Sequence, residues 1–283
     1  MRIKKHNNGN EFLLTKENMW VRNFTKSGVP YIDINKTYNK NDYFIFLKNE
    51  IQNSFERYAW IDTENFHHDK VVIISEGYNF SEKHLNLMKT LPKDVAIIGV
   101  NQSLKMWKSP ERNMTYYLIN NPYDECMKFM PRKNRGLPKC ITSTRTNYEF
   151  LFNYKEKGSI YKYCPVSEED YNGKIYEKTK YQIDDCRNPV CAAIQLCYQF
   201  GTEKILLFCC DDSFNQERPG SEKLHNGLWQ YPQQNIAHGL IDATVYWLKS
   251  MKYSETYLKD HSSGPLYENA VYIDEDEIQS FFN

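Results

Sequence analysis

The fold is decided by residues 71–101, VVIISEGYNFSEKHLNLMKTLPKDVAIIGVN, in which two apolar runs enclose a glycine-containing turn and a helical segment. Val71–Ile74 and Val95–Val100 lack polar alternation, which is typical of strands covered on both faces. Between them, Glu82–Thr90 carries apolar residues at helical spacing. The stretch therefore predicts strand, turn, helix and strand, the unit of an α/β, mostly parallel sheet.

Ligands of open α/β sheets bind beyond the carboxyl ends of the strands. In this sequence polar residues follow both predicted strands directly. We therefore expect a nucleotide site at Ser75, Glu76, Gly77, Asn101 and Gln102.

Residues 187–212, RNPVCAAIQLCYQFGTEKILLFCCDD, form a second helix and strand pair. Gly201 is predicted to end the helix in the left-handed conformation, and Ile205–Cys210 to return as a buried strand. Arg187 and Asn188 precede the helix, where free N–H groups and the helix dipole favour an anion.

Further polar residues are expected beside the same site. Asn121 follows a third predicted strand, Thr115–Ile119, and Asp211 follows the strand 205–210. On pattern alone, a helix cap remains an equal interpretation of Asp211.

A long loop from Phe214 to Gln234 contains Tyr231 and leads into a predicted helix, 236–251. Loops of this length in compact domains usually have a function or move. His238 falls in the first turn of the helix, where the dipole favours a neutral ring able to accept a proton. A structural histidine is the alternative interpretation.

The 283-residue chain is predicted to consist of residues 1–65, an N-terminal extension packed on the core, and 66–283, a nucleotide-binding catalytic domain with a loop-rich lid around 213–235. Within the extension, a helix from Phe46 to Ala59 is expected to pack through Ile51, Phe55 and Tyr58.

The composition gives weaker constraints. Basic and acidic residues balance at 36 each, so no global field favours nucleic acid. With no apolar run long enough to span a bilayer and no signal peptide pattern, we expect a cytoplasmic protein. Assembly into a homo-oligomer is left open by the sequence. The eight cysteines lack paired zinc-site spacing and are expected to be buried, free thiols.

The order of VVIISEGYNF, GVNQS, LINNP, the 187–212 block and AHGLIDATVYWL resembles the bacterial lipooligosaccharide sialyltransferases. It is also similar to the motility-accessory-factor proteins and to 6-hydroxymethylpterin pyrophosphokinases that share their core. The resemblance covers roughly residues 70–250. It implies a Rossmann-like sheet with helices on both faces, the GT-A-like variant of the sialyltransferases.

The resemblance also assigns roles. Asn101-Gln102 and Asn121-Pro122 match the family's Asn-Gln and Asn-Pro pairs at the nucleotide, and Asn188 lies in the place of its Thr-Ser-Gly-Val loop. His238 takes the place of the proposed general base. Asp211 matches the aspartate after the strand, and Tyr231 the loop tyrosines that bind the donor phosphate.

The function implied is a glycosyltransferase that moves a sugar from a nucleotide-sugar donor, favouring a CMP sugar, to a glycan or other hydroxyl-bearing acceptor. It implies no metal ion and no cofactor beyond the donor. A pyrophosphokinase acting on a small hydroxymethyl heterocycle is one alternative and would need Mg²⁺, through Asp211-Asp212. An inactive nucleotide-binding or interaction module is another, because Ser75–Asn79 replaces the family's Gly-x-Gly-Pro-Ser loop.

Overall fold

The structure is a computed structural model of the chain. It describes residues 3–5, 11–14, 20–22, 40–62, 64–75, 82–106, 112–130, 137–156, 158–165, 182–183, 188–210, 222–223, 229–230, 255–258, 271–272 and 275–283.

A ten-stranded sheet forms the centre of the described structure. Its strands are β4 (Ala59–Trp60), β5 (Lys70–Ile74), β6 (Ala96–Val100), β7 (Tyr116–Ile119), β8 (Lys139–Ser143), β9 (Ile160–Pro165), β10 (Gln182–Ile183), β11 (Lys204–Phe208), β14 (Glu255–Leu258) and β15 (Val271–Tyr272). The order is β10-β9-β8-β7-β6-β5-β11-β14-β15, with β4 paired to β9, and every pairing is parallel.

Two smaller antiparallel sheets accompany it. The first contains β1 (Ile3–Lys5), β2 (Glu11–Leu14) and β3 (Trp20–Arg22). The second pairs β12 (Glu222–Lys223) with β13 (Trp229–Gln230). That second pair lies inside the loop predicted to form a lid, and the rest of the loop lies outside the described residues.

The helices are α1 (Lys40–Ser54), α2 (Glu82–Thr90), α3 (Ser103–Met106), α4 (Tyr148–Lys155), α5 (Pro189–Gln199) and α6 (Ile278–Phe282). Two 3₁₀ helices cover Asp124–Phe129 and Glu275–Glu277. None of these described helices is long and apolar enough to cross a membrane.

Both faces of the sheet are covered, because alternate residues of each strand enter different cores. Val71 and Ile73 pack with α5 on one face, whereas Val72 and Ile74 pack with residues of α2, α4 and α6 on the other. Each of these four side chains is fully buried, which stabilises the fold by about 1.5–3 kcal/mol per side chain. The absence of polar alternation in β5 follows from this, and the predicted fold class is confirmed.

Local predictions in the central unit are also confirmed. Helix α2 has the predicted bounds, and Gly201 ends the segment after α5 with φ of 82°. Glycine adopts this left-handed conformation without the steric cost of a Cβ atom.

The N-terminal helix predicted from Phe46 to Ala59 is confirmed over residues 46–54, and Tyr58 packs against the core. The predicted end of the helix and the packing of Ile51 and Phe55 were wrong. Helix α1 spans Lys40–Ser54, and Ala59 already belongs to a strand. Of the predicted packing residues, Ile51 is 43% exposed and Phe55 is 82% exposed. Apart from Phe46, the described residues that α1 buries are polar, because they contact the loops beyond the central strands through hydrogen bonds.

Candidate functional site

The chain reverses direction across the sheet at β5. Strands β5 to β10 follow one another outward on one side, and α5 then carries the chain back to β11 on the other side of β5. The carboxyl ends of β5, β6 and β11 therefore meet at a topological switch point, where open sheets leave a crevice for ligands.

Ser75 marks the end of β5 in this crevice. It is 4% exposed, and its N–H donates to Phe208 O of β11 at 3.0 Å. This hydrogen bond keeps the two strands together up to their last residues. Glu76 and Gly77, predicted to follow at the site, lie outside the described residues.

Asn101, at the end of β6, combines two unusual features. Its φ is 48°, in the left-handed region that non-glycine residues enter at a cost, although asparagine tolerates it better than most. Its side-chain Oδ1 is buried without a hydrogen-bond partner. Strained residues and unsatisfied polar atoms cluster at functional sites, so Asn101 is the described residue best poised for a ligand.

Gln102 is exposed beside Asn101, immediately before α3. Its carbonyl accepts the Lys105 N–H at 2.9 Å and so starts the first turn. The Gln102 side chain therefore lies at the same edge of the sheet as Asn101.

Cys209 follows β11 and is the second non-glycine residue with positive φ, 52°, among the described residues. It is 1% exposed, and the neighbouring Cys210 thiol lies 3.3 Å from Phe208 O. Asp211 comes next and lies outside the described residues. The backbone thus turns sharply at the point where the sequence predicts the aspartate.

Asn188 is the N-cap of α5, and its Oδ1 accepts from the N–H groups of Val190 at 2.8 Å and Cys191 at 3.2 Å. The side-chain oxygen is thereby used within the protein. Its amide hydrogens are the groups that remain for a ligand. Arg187, the other residue predicted to bind an anion here, lies outside the described residues.

Asn121 also uses its oxygens locally. Its Oδ1 accepts from Tyr123 N–H at 2.8 Å, and its carbonyl accepts from Asn147 N–H at 3.0 Å. The residue ties the loop after β7 to the loop after β8. Of its polar side-chain groups, the amide nitrogen is the one able to donate to a nucleotide.

The last two predicted residues, Tyr231 and His238, lie outside the described residues. Five of the predicted residues therefore lie at one edge of the sheet. Four of them follow the carboxyl ends of neighbouring strands: Ser75, Asn101, Gln102 and Asn121. The fifth, Asn188, lies at the start of the adjoining helix α5. The roles predicted for all of them remain predictions.

Sequence reasoning missed the contribution of α1 to this edge. Asn53 Nδ2 donates to Thr144 O at 2.9 Å and to Thr146 O at 2.8 Å. Asn49 Nδ2 donates to Pro122 O at 2.8 Å and to Arg145 O at 3.2 Å. The two amides fasten α1 over the loops after β7 and β8. Their spacing of four residues on one helical face is the signal that was available in the sequence.

A buried carboxyl group lies between these amides. Glu50 is fully buried and accepts a hydrogen bond from Thr144 Oγ1 at 3.3 Å. Burial raises the pKa of its carboxyl, while the Arg145 charge and the Thr144 hydrogen bond oppose that rise. The Arg145 charge offsets part of the cost of burying this carboxyl group.

A pocket of about 210 Å³ opens between α1 and these loops. It lies on the same edge of the sheet as the crevice. Its walls are Ile45, Lys48, Asn49, Gln52, Pro122, Tyr123, Asp124, Asn147, Tyr148 and Glu149.

The seven described cysteines are free and buried, as predicted. Burial raises the pKa of the Cys126 and Cys197 thiols to about 12 each, and raises that of Cys140 as well. A thiol needs to lose its proton to act as a nucleophile, so these three are structural. Within the described residues, no group of three His, Cys, Asp or Glu side chains could hold a metal ion; Asp211 and Asp212 are not among those residues.

The comparisons with known proteins add a structural likeness. No protein-family profile matches the sequence, and no curated protein does. The fold is similar to the solved structure of a MAf glycosyltransferase from Magnetospirillum magneticum AMB-1, with a TM-score of 0.63 and 12% sequence identity. The match covers 83% of this chain but 38% of the other protein. At this identity the likeness concerns the fold.

Proposed function

We propose that this chain is a glycosyltransferase that moves a sugar from a nucleotide-sugar donor to an acceptor hydroxyl. The observation that carries the proposal is Asn101, whose strained backbone and unpartnered Oδ1 lie at the switch point of a parallel sheet. The fold shared with a protein described as a glycosyltransferase supports the same class.

The donor would lie in the crevice at the ends of β5, β6 and β11. Asn101 would accept a hydrogen bond from the base or the ribose of the donor. The amide nitrogens of Asn121 and Asn188 would donate hydrogen bonds to the same nucleotide. Backbone N–H groups near Gly77 would stabilise the leaving phosphate. The N–H groups of Val190 and Cys191, expected to be free at the start of α5, already donate to Asn188 Oδ1. The resemblance to the sialyltransferases favours a CMP sugar and a reaction without metal.

In the proposed reaction the acceptor oxygen attacks the anomeric carbon and forms the new glycosidic bond. The bond from that carbon to the phosphate oxygen breaks, and the nucleoside monophosphate leaves with the electron pair. His238 accepts the proton of the acceptor hydroxyl as general base. Tyr231 and Asp211 would complete the donor site, in the roles that the resemblance implies.

A thermal-shift panel of CMP, CDP, UDP, GDP and ATP, each with and without Mg²⁺, is the first test. A ligand that binds only the folded chain raises the melting temperature. We expect a metal-independent shift with CMP or another sugar-carrier nucleotide. A shift with ATP and Mg²⁺ alone would favour the pyrophosphokinase, and no shift with any nucleotide would favour the inactive module.

A turnover assay then tests the role of His238 as general base. With the donor that the panel identifies, His238→Ala is expected to slow release of the nucleotide by about 10²- to 10⁴-fold, the usual contribution of a general base. His67→Ala, an exposed histidine elsewhere, is the matched control. Equal rates in both variants would remove His238 from the mechanism.

A further inference from the structure

The pocket beside α1 lies along the same edge of the sheet as the proposed donor site. Pro122 and Tyr123 follow β7, and Asn147 follows β8. Neighbouring strands are about 4.8 Å apart, so the pocket is roughly 10–15 Å from the end of β5. That separation places it beside a ligand in the crevice rather than within the nucleotide site itself.

The pocket is held in shape by hydrogen bonds within the protein. Asn147 is buried and uses both ends of its amide, accepting from Phe150 N–H at 2.9 Å and donating to Asp124 Oδ1 at 2.8 Å. Asn49 fixes the opposite wall by donating to Pro122 O. A pocket already formed in this way loses little entropy when it binds a ligand.

The groups left facing the pocket are chiefly hydrogen-bond acceptors. Because the Asn49 nitrogen donates to two carbonyls, its Oδ1 is the atom that it can offer. Asp124 accepts from Asn147 through Oδ1, which leaves Oδ2, and Glu149 adds an exposed carboxylate. Lys48 and Gln52 supply donors.

This chemistry suits a ring that carries several hydroxyl groups. Carboxylates and amides accept from hydroxyls in charge-assisted or neutral hydrogen bonds, and the rings of Tyr123 and Tyr148 offer flat apolar surface. Two carboxylates against one lysine disfavour a phosphate. The volume of about 210 Å³ is below the range for drug-sized ligands, which fits one ring.

We propose that this pocket binds one sugar ring of a carbohydrate acceptor, an inference that rests on the proposed transferase function. Helix α1 forms one wall of this subsite, so the N-terminal part of the chain contributes to acceptor choice. The acceptor hydroxyl would extend from the pocket toward the donor at the ends of β5 and β6.

Saturation-transfer NMR on the full chain tests the pocket without requiring turnover. The probes are methyl β-galactoside, methyl β-N-acetylglucosaminide, methyl α-mannoside and N-acetylneuraminic acid. We expect at least one to bind. Glu149→Gln should weaken that binding about tenfold, because the hydroxyl then donates to a neutral acceptor instead of a charged one. Gln52→Trp should abolish it by filling the pocket.

Two exposed positions outside the pocket give matched controls. Glu156→Gln removes a carboxylate just after α4, and Lys93→Ala removes a cation far from α1; both should bind the glycoside as the wild type does. If Gln52→Trp fails to fold, judged by its melting temperature, Glu149→Gln carries the test. No binding by any probe, or equal binding in Glu149→Gln and Glu156→Gln, would overturn the inference.

The two proposals can fail separately. If a nucleotide stabilises the chain but no glycoside binds, the transferase proposal stands and the acceptor pocket is wrong. If a glycoside binds in the pocket but no nucleotide or nucleotide sugar does, the pocket is a carbohydrate site of a protein that is not a transferase.

Discussion

Asn101 and Cys209 share a left-handed backbone conformation at the ends of the two strands that flank β5, with φ of 48° and 52°. Each turns the chain sharply as it leaves the sheet, one on either side of Ser75. The cost of this conformation is about 1–2 kcal/mol for a residue with a Cβ atom. The two turns lie at the ends of strands at which we place the donor.

Asn101→Gly and Asn101→Ala separate the two properties of this residue. Both remove the Oδ1 acceptor, so both should lose the stabilisation given by the nucleotide that the thermal-shift panel identifies. Glycine adopts the left-handed conformation without steric cost, whereas alanine has a Cβ atom and lacks the polar side chain that helps asparagine adopt it. Asn101→Ala should therefore also lower the free energy of unfolding by about 1 kcal/mol relative to Asn101→Gly. Urea titration with and without nucleotide measures both effects. Full nucleotide stabilisation in Asn101→Gly would show that the amide makes no contact.

Gly99, in β6 two residues before Asn101, is required by close packing. A Cβ atom built there would overlap the Met114 side chain and lie 2.6 Å from Ser103 Oγ. Gly99→Ala should therefore destabilise the chain by about 1–3 kcal/mol, the usual cost of overpacking a core. Combining it with Met114→Ala should recover part of the loss, and urea titrations of the four chains in this cycle measure the coupling. Strictly additive effects would contradict the overlap.

Asn53 fastens α1 to the loop after β8 through two hydrogen bonds to backbone carbonyls. Asn53→Ala leaves both buried carbonyls without these donors and should cost about 2–4 kcal/mol. Ser54→Ala, at the neighbouring exposed position, is the control and should change stability by less than about 0.5 kcal/mol. Urea titration compares them. Similar small losses in both would mean that α1 is not held by this contact.

His68 gives the chain a dependence on pH at the other edge of the sheet. Tyr116 OH donates to Asn65 O at 2.7 Å, so the 3.1 Å contact with His68 Nε2 requires the ring to donate. Burial, followed by the positive charges of His67 and Lys139, lowers the pKa of His68 below its ordinary value of 6.5. The unfolded chain therefore binds more protons between the two pKa values, and stability falls as the pH decreases below about 6.5.

His68→Gln keeps a side-chain donor but removes the titration. The wild type should lose stability relative to this variant as the pH falls from about 7.5 to 5.5, while above about 7.5 the difference should be constant. Urea titration at a series of pH values measures it. Parallel curves for the two chains would refute the assignment.

The sequence by itself determined the central architecture. Val71–Ile74 and Val95–Val100 are continuous apolar runs because both faces of an interior parallel strand need apolar cover, and this information is local. The same holds for the helix 82–90 and for Gly201, whose conformation is set by the absence of a Cβ atom. From these segments the sequence also indicated which end of the sheet would carry the polar residues.

Local pattern failed where a residue's environment comes from distant parts of the chain. The face of α1 that carries Asn49, Glu50 and Asn53 reads as solvent-exposed, yet it is buried because carbonyls roughly 70 to 100 residues away accept its hydrogen bonds. Strand β14, Glu-Thr-Tyr-Leu, has no apolar run and is a strand because β11 and β15 flank it.

Local turns and tertiary structure together decided which asparagines keep a free acceptor. Asn121 and Asn188 each precede a proline, whereas Asn101 precedes Gln102. In the fold, the side-chain oxygens of Asn121 and Asn188 accept hydrogen bonds from backbone N–H groups, whereas the Asn101 Oδ1 has no partner. The bonds of Asn121 and Asn188 are local, because each oxygen accepts from an N–H group two or three residues further along the chain. The burial of the Asn101 Oδ1 without a partner is tertiary, because it depends on the segments that the fold packs around the end of β6, and these are distant in sequence.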